Sequence, residues 1–286
     1  MSPPLASSPF IEALLQRGRP TEDDLWAGRN PDYVAEYGLT ADHVPVLINI
    51  ATRWDEAWYD TPAAYAPIHA WRALAQLGAV DAVQPLLDFQ RQLEEQGDDW
   101  YLEEFHLVFG LIGPPAIESM AAFLADPSQG EFPRSKTAEG LAEIARRHPE
   151  TRARVLEALT SVFAHHQKES GAVNGGIVGD LLDLHAVEAA EIIERAFAAN
   201  VIDPTIVGDW GEVRRELGVL GLGLAPDKSV GWKTLAEQAG FPRMIFVPPS
   251  VDRLEQQRRK DRAHERKAKA KRKQQQKDRK RNRKAR

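Results

Sequence analysis

Apolar residues recur at three- and four-residue steps through most of this chain, the spacing that lines one face of an α-helix. Phe10, Ile11, Leu14 and Leu15 form one such face, with Ser8 placed to cap the helix and Gly18 and Pro20 to end it. A second helix is predicted from Thr40, carrying Val44, Leu47, Ile48 and Ala51. A third follows Thr61 with Ile68, Trp71, Leu74 and Leu77, and Gly78 stops it. The predicted fold is therefore all-α.

From Gly78 onward one unit recurs: an amphipathic helix, a tight break, then another amphipathic helix. The breaks carry the similarity. Ala73-Leu74-Ala75-Gln76-Leu77-Gly78-Ala79-Val80 compares with Phe109-Gly110-Leu111-Ile112-Gly113-Pro114-Pro115-Ala116 and with Leu181-Leu182-Asp183-Leu184-His185-Ala186-Val187. Leu141 to Glu150 is a weaker copy. Aligning Leu77, Ile112, Ile144 and Leu184 gives spacings of 35, 32 and 40 residues. Glycine at the break supplies the left-handed conformation that ends a helix, and Pro114 and Pro149 stand where a next helix starts. A two-helix unit cannot bury its apolar stripe alone, so neighbouring units stack.

On these residues the chain resembles the HEAT-like, armadillo-type repeat superfamily, roughly from Pro62 to Gly218, and is similar to bacterial HEAT-like proteins of unknown function. The resemblance implies an α-solenoid and a binding scaffold. The superfamily includes proteins related to phycobilin lyases and DNA glycosylases, so a HEAT-like-fold enzyme of lyase or glycosylase type is the alternative. Some relatives end in a Cys-rich zinc motif, which this chain lacks. The expected organisation is an N-terminal helical cap over residues 1–60, a repeat solenoid over 61–218, a linker and capping segment over 219–250, and a tail over 251–286. Within the capping segment Met244-Ile245-Phe246-Val247 is expected to dock on the last repeat.

Charge changes the picture most. The net value of −5 divides unevenly. Arg253 to Arg286 holds 18 Lys and Arg against four acids, while the remainder holds 19 basic and 38 acidic residues. An acidic body thus carries a basic arm, an asymmetry that concerns partners rather than fold. Arg266, Lys267, Lys269, Lys271, Arg272, Lys273, Arg279, Lys280, Arg281, Arg283 and Lys284 are the expected nucleic-acid contacts. RNA, DNA or a ribosomal surface is the expected partner, since each neutralised phosphate releases condensed counterion. No aromatic residue lies among them, so binding without sequence preference is expected. Association of the arm with the acidic body is the alternative, and a membrane partner is not expected because the arm has no apolar face.

Candidate chemistry adds little. There is no cysteine, which removes disulfides, thiolate nucleophiles and Cys-type zinc sites. No phosphate-loop, zincin or serine-hydrolase motif is present. The expectation is a cytoplasmic, non-enzymatic binding scaffold with no cofactor and no metal, and with neither signal peptide nor membrane span. Gly171, Gly175, Gly176 and Gly179 lack the lysine of a phosphate loop and are read as close helix packing. His165 and His166 point about 100° apart on a helix, which makes a shared metal ion a poor reading. The acid runs at Asp55, Glu56 and Asp60 and at Asp98, Asp99, Glu103 and Glu104 are read as solvated faces or helix N-terminal charge. Trp54 and Trp58, four residues apart on one predicted helix face, with Tyr59 and Trp100, are the candidate protein-binding residues. Aromatic rings among acids suit a basic partner peptide.

Overall fold

The computed structural model describes residues 8–20, 31–53, 55–58, 60–96, 100–163 and 171–219, and the side chains at 56, 95, 96 and 100–103 lie outside that description. These residues belong to one unit spanning Met1–Leu235. All regular structure among them is helical, with no strand. No single helix among them is long and apolar enough to cross a membrane.

The helices are α1 (Pro9–Gln16), α2 (Tyr33–Tyr37), α3 (Val44–Ala51), α4 (Ala66–Gln76), α5 (Val83–Gln96), α6 (Trp100–Ile112) and α7 (Ile117–Ala125). They continue with α8 (Glu131–Arg147), α9 (Arg152–Ser161), α10 (Gly171–Asp183), α11 (Ala190–Ala198), α12 (Pro204–Val207) and α13 (Trp210–Glu216). The first predicted helix is α1, with Ile11 and Leu14 buried. Ser8 precedes it, but its side chain makes no capping bond. The predicted second helix begins later than Thr40, which instead caps a short 3-10 turn leading into α3.

Five breaks share one construction. A helix ends, a three-residue 3-10 turn follows, and the next helix starts at once. The turns begin at Ala41, Val80, Pro114, Pro149 and Val187, which are 39, 34, 35 and 38 residues apart. At Gly38, Gly78 and His185 the chain takes the left-handed conformation, with φ of 61°, 59° and 48°. The next N–H then reaches back five residues: Leu39 to Val34, Ala79 to Leu74, and Ala186 to Leu181. That bond satisfies a carbonyl the helix end would leave open, and Leu39, Ala79 and Ala186 are buried beside it. The register Leu77, Ile112, Ile144 and Leu184 is off by up to three residues, because α8 runs on to Arg147, three residues past Ile144, whereas α6 ends at Ile112. The break at Gly38 lies in the region read as a cap and was not marked by the sequence comparison.

Two rows of helices result. α4, α6, α8 and α10 pack side by side in that order, and α3, α5, α7 and α9 do the same alongside. α8 touches both rows, contacting α5, α6, α7, α9 and α10. Its Leu141, Ala142, Ile144 and Ala145 are buried with Phe109, Met120, Leu159 and Ile177 in one apolar cluster. Gly140 is where α8 comes closest to its neighbours: an added Cβ would sit 2.7 Å from Met120 Cε and 3.3 Å from Phe109 Cδ2.

Candidate binding surface

The tail cations Arg266 to Lys284 lie outside the described residues, as do Trp54, Tyr59, His165, His166 and Met244–Val247. Trp100 opens α6, but its side chain is among those left undescribed. Trp58 is described, and it corrects the reading of a shared helix face. α3 stops at Ala51, and Trp58 closes a separate 3-10 turn, Glu56–Trp58. The Arg53 guanidinium lies 5.2 Å from the Trp58 ring centre and is held there by Asp55 at 2.7 Å. Asp55 also accepts the Ala57 N–H, and these two bonds hold its carboxyl below the usual carboxylate range. Asp55 therefore serves local geometry.

Glu104 likewise leaves the solvated-face reading. It is buried, and Arg72 of α4 binds it through Nε and Nη2 at 2.9 and 2.8 Å. Burial opposes the Arg72 charge, but the Glu104 carboxylate holds it on, above the ordinary arginine value. α4 is in fact fastened on several sides by polar side chains. Trp71 Nε1 donates to the Ala51 carbonyl at 2.7 Å, so the end of α3 is capped by an indole. Gln76 accepts the Tyr33 N–H and donates to the Pro31 carbonyl, both at 2.8 Å, pairing with the backbone as a strand would. His69 contacts Tyr33 and Gly18.

The glycines of α10 receive a helix rather than a phosphate. Backbone Asp203 stands 3.2 Å from a Cβ built on Gly171, Ile206 3.1 Å from one on Gly175, and Val207 3.7 Å from one on Gly179. α12 therefore seats along this stripe, joined by the Asp203 N–H to the Gly171 carbonyl at 3.1 Å and by Asn174 Nδ2 to the Val201 carbonyl at 2.8 Å. An open groove of about 420 Å³ beside it is lined by Pro204, Ile206, Glu212 and Arg215, among others.

A run of charged side chains crosses α6, α8 and α10. On α8, Lys136 binds Glu139 at 2.5 Å, and Glu143 takes both Arg146 and Arg147, at 2.8 and 2.6 Å. Gly110 on α6 leaves room for the Glu143 side chain, since any Cβ there would collide with it. His106 on α6 sets Nδ1 3.6 Å from Glu139, and burial pushes its imidazole down from the ordinary value. Arg146 reaches Asp183 on α10 at 3.8 Å. Asp180, one turn earlier, has its carboxyl pushed well up by burial and then by the negative charges of Glu139 and Asp183. The sequence reading missed this seam. Its signal was the run Lys136, Glu139, Glu143, Arg146 and Arg147, opposite charges at helical i,i+3 and i,i+4 spacing.

No group of three or more His, Asp or Glu side chains among the described residues is arranged to hold a metal ion. Compared with known proteins, the chain matches no protein-family profile, no curated protein and no solved structure.

Proposed function

We propose that the body is a HEAT-like α-solenoid acting as a binding scaffold for a protein or peptide, and that the basic arm binds the phosphate backbone of RNA or DNA. One observation carries the scaffold reading: the helix, 3-10 turn, helix unit that recurs five times, with α3 to α10 stacked in two rows. Stacked two-helix units make extended surfaces suited to partners. The seam across α6, α8 and α10 is the candidate contact. Its charges are partly exposed and paired within the chain, so they can exchange those partners for a partner's charges at small cost. The arm reading rests on 18 cations against four acids from Arg253 to Arg286.

The test is fluorescence anisotropy with labelled single-stranded RNA and duplex DNA across a salt series. It compares the full chain with a full chain whose 18 cations from Arg253 to Arg286 are replaced by glutamine. About eight phosphate contacts give a log–log salt slope of about −6 on single strands and about −7 on duplex. The slope should flatten on neutralisation, with no preference for sequence. Equal binding by both chains would move the nucleic-acid contact to the body and end this division of roles.

A further inference from the structure

The ion pairs across α6, α8 and α10 form one connected network. Lys136 binds Glu139, Glu143 takes Arg146 and Arg147, and Arg146 reaches on to Asp183. Three cations thus meet three carboxylates, and the network is balanced. His106 joins it through Glu139 at 3.6 Å. Burial pushes that imidazole down from its ordinary value, so it stays uncharged near neutral pH.

Asp180 is the carboxyl left over. It stands on α10, three residues before Asp183, and faces Glu139, Lys136 and Arg146 of α8. Its side chain makes no hydrogen bond and no ion pair among the described residues; its neighbours act on it through burial and charge alone. Burial first, then the negative charges of Glu139 and Asp183, hold its proton on well above the usual carboxylate range, against the pull of Arg146 and Lys136. Once Asp180 ionises, the network holds four carboxylates and three cations, one cation short. The chain's own cations are already taken, Lys136 at 2.5 Å, Arg147 at 2.6 Å and Arg146 at 2.8 Å.

The missing charge has a way in. Asp183 is 71% exposed and Glu139 30%, so the two carboxylates that press on Asp180 are open to solvent. We propose that the partner of this seam supplies the fourth cation, a lysine or arginine side chain seated against Asp180 and Asp183 on α10 and Glu139 on α8. It rests on the proposed contact lying at the seam, and names the side chain which that contact accepts. A cation there lets Asp180 ionise, so one proton leaves as one cation arrives. A half-buried carboxylate gains more from this than an exposed one, because less water screens the pair. A neutral or acidic side chain gains nothing at this point, so the seam selects basic segments.

The probe is N-acetyl-argininamide, which carries a single guanidinium, and the control is N-acetyl-citrullinamide, its uncharged isostere. Each is titrated into the full-length chain with its 18 arm cations replaced by glutamine, so that the arm does not compete. NMR follows the Asp180 carboxyl carbon. An aspartate in water titrates at about pH 4, so the series runs above it, from about pH 5.5 to about pH 8. Saturating argininamide should lower the Asp180 midpoint, and citrullinamide should leave it in place. Argininamide affinity should rise by up to about tenfold per pH unit wherever the free chain holds the Asp180 proton, as release of one proton requires. In Asp180→Asn the affinity at the alkaline end should fall to the unsubstituted chain's value at the acid end, and the pH dependence should vanish. In Glu191→Gln, which removes a carboxylate of α11 outside the network, both should persist. Argininamide that shifts Glu139 and Asp183 while Asp180 titrates as before would overturn the proposal and keep the seam as a contact. No shift at any residue of the network would remove the seam as the contact too.

Discussion

A buried ion pair and a half-buried carboxyl shape the molecule in opposite ways at the scale of single residues. Arg72 and Glu104 have side chains 3% and 2% exposed, and two hydrogen bonds join them. Removing one partner strands the other. Glu104→Ala should lower stability by about 3–5 kcal/mol, whereas Arg72→Met with Glu104→Leu should come out near neutral, because no charge is left unpaired in the core. Chemical denaturation of the three chains checks this, and an equal loss in single and double variants would refute it. Asp180 behaves differently. Burial, reinforced by Glu139 and Asp183, raises its carboxyl well above the ordinary range. The unfolded chain ionises this group from about pH 4 upward while the folded chain still holds the proton, so the residue weakens folding as pH rises above that point. Asp180→Asn should therefore raise stability near neutral pH, with the gain fading toward about pH 4. Melting curves at several pH values decide it, and a gain that grows toward acid has the wrong sign.

Between elements, close approach is negotiated by glycine. A Cβ on Gly175 would sit 3.1 Å from both Cβ and Cδ1 of Ile206, so α12 must shift to admit alanine. Alanine also favours the helix by about 1 kcal/mol, so Gly175→Ala alone should change stability little. Paired with Ile206→Ala, which removes Cδ1 and Cγ2 from a side chain 47% exposed and leaves only the Cβ contact, part of the helix gain should appear. A double-mutant cycle should return a coupling of about 1 kcal/mol, and strict additivity would mean that the two helices do not meet there. This contact also shows what could be read from sequence. That Gly171, Gly175 and Gly179 serve packing was legible, since their spacing puts them on one helix face and no lysine accompanies them. What they pack against was not, because α12 is only four residues long and carries no periodicity. The helices and most breaks were likewise legible from apolar spacing and from Gly78, Gly113 and Pro149. The shared helix face of Trp54 and Trp58 was wrongly expected because i,i+4 spacing suggests one helix, whereas α3 ends at Ala51 and Trp58 closes a separate 3-10 turn. The burial of Glu104 was invisible because its partner lies 32 residues away.

Across the described unit, stability should be graded from the middle to the ends. α8 has neighbours in both rows, and its Leu141 and Ile144 are fully buried. Toward the N-terminus α1 rests on α4 and the Pro62–Tyr65 turn, and toward the C-terminus α12 rests on α10 and α13 on α11. In a stack where each unit is held by its neighbours, end units open without the middle, and the middle opens only when the whole unfolds. Native-state hydrogen exchange in rising denaturant should place α6 and α8 at the global free energy and α1, α12 and α13 well below it. Two truncations separate this from a uniformly cooperative body. Leu141→Ala deletes buried atoms shared by both rows and should lower the exchange free energy of every protected helix by about 2–5 kcal/mol. Val213→Ala, equally buried but on α13, should lower only α11 to α13 and leave α6 and α8 unchanged to within about 0.5 kcal/mol. If Val213→Ala lowers α8 as much as α13, the unit unfolds as one cooperative block and the helix rows do not act as separable units. If it spares α8, a partner can act on one end of the rows while the central helices keep their packing.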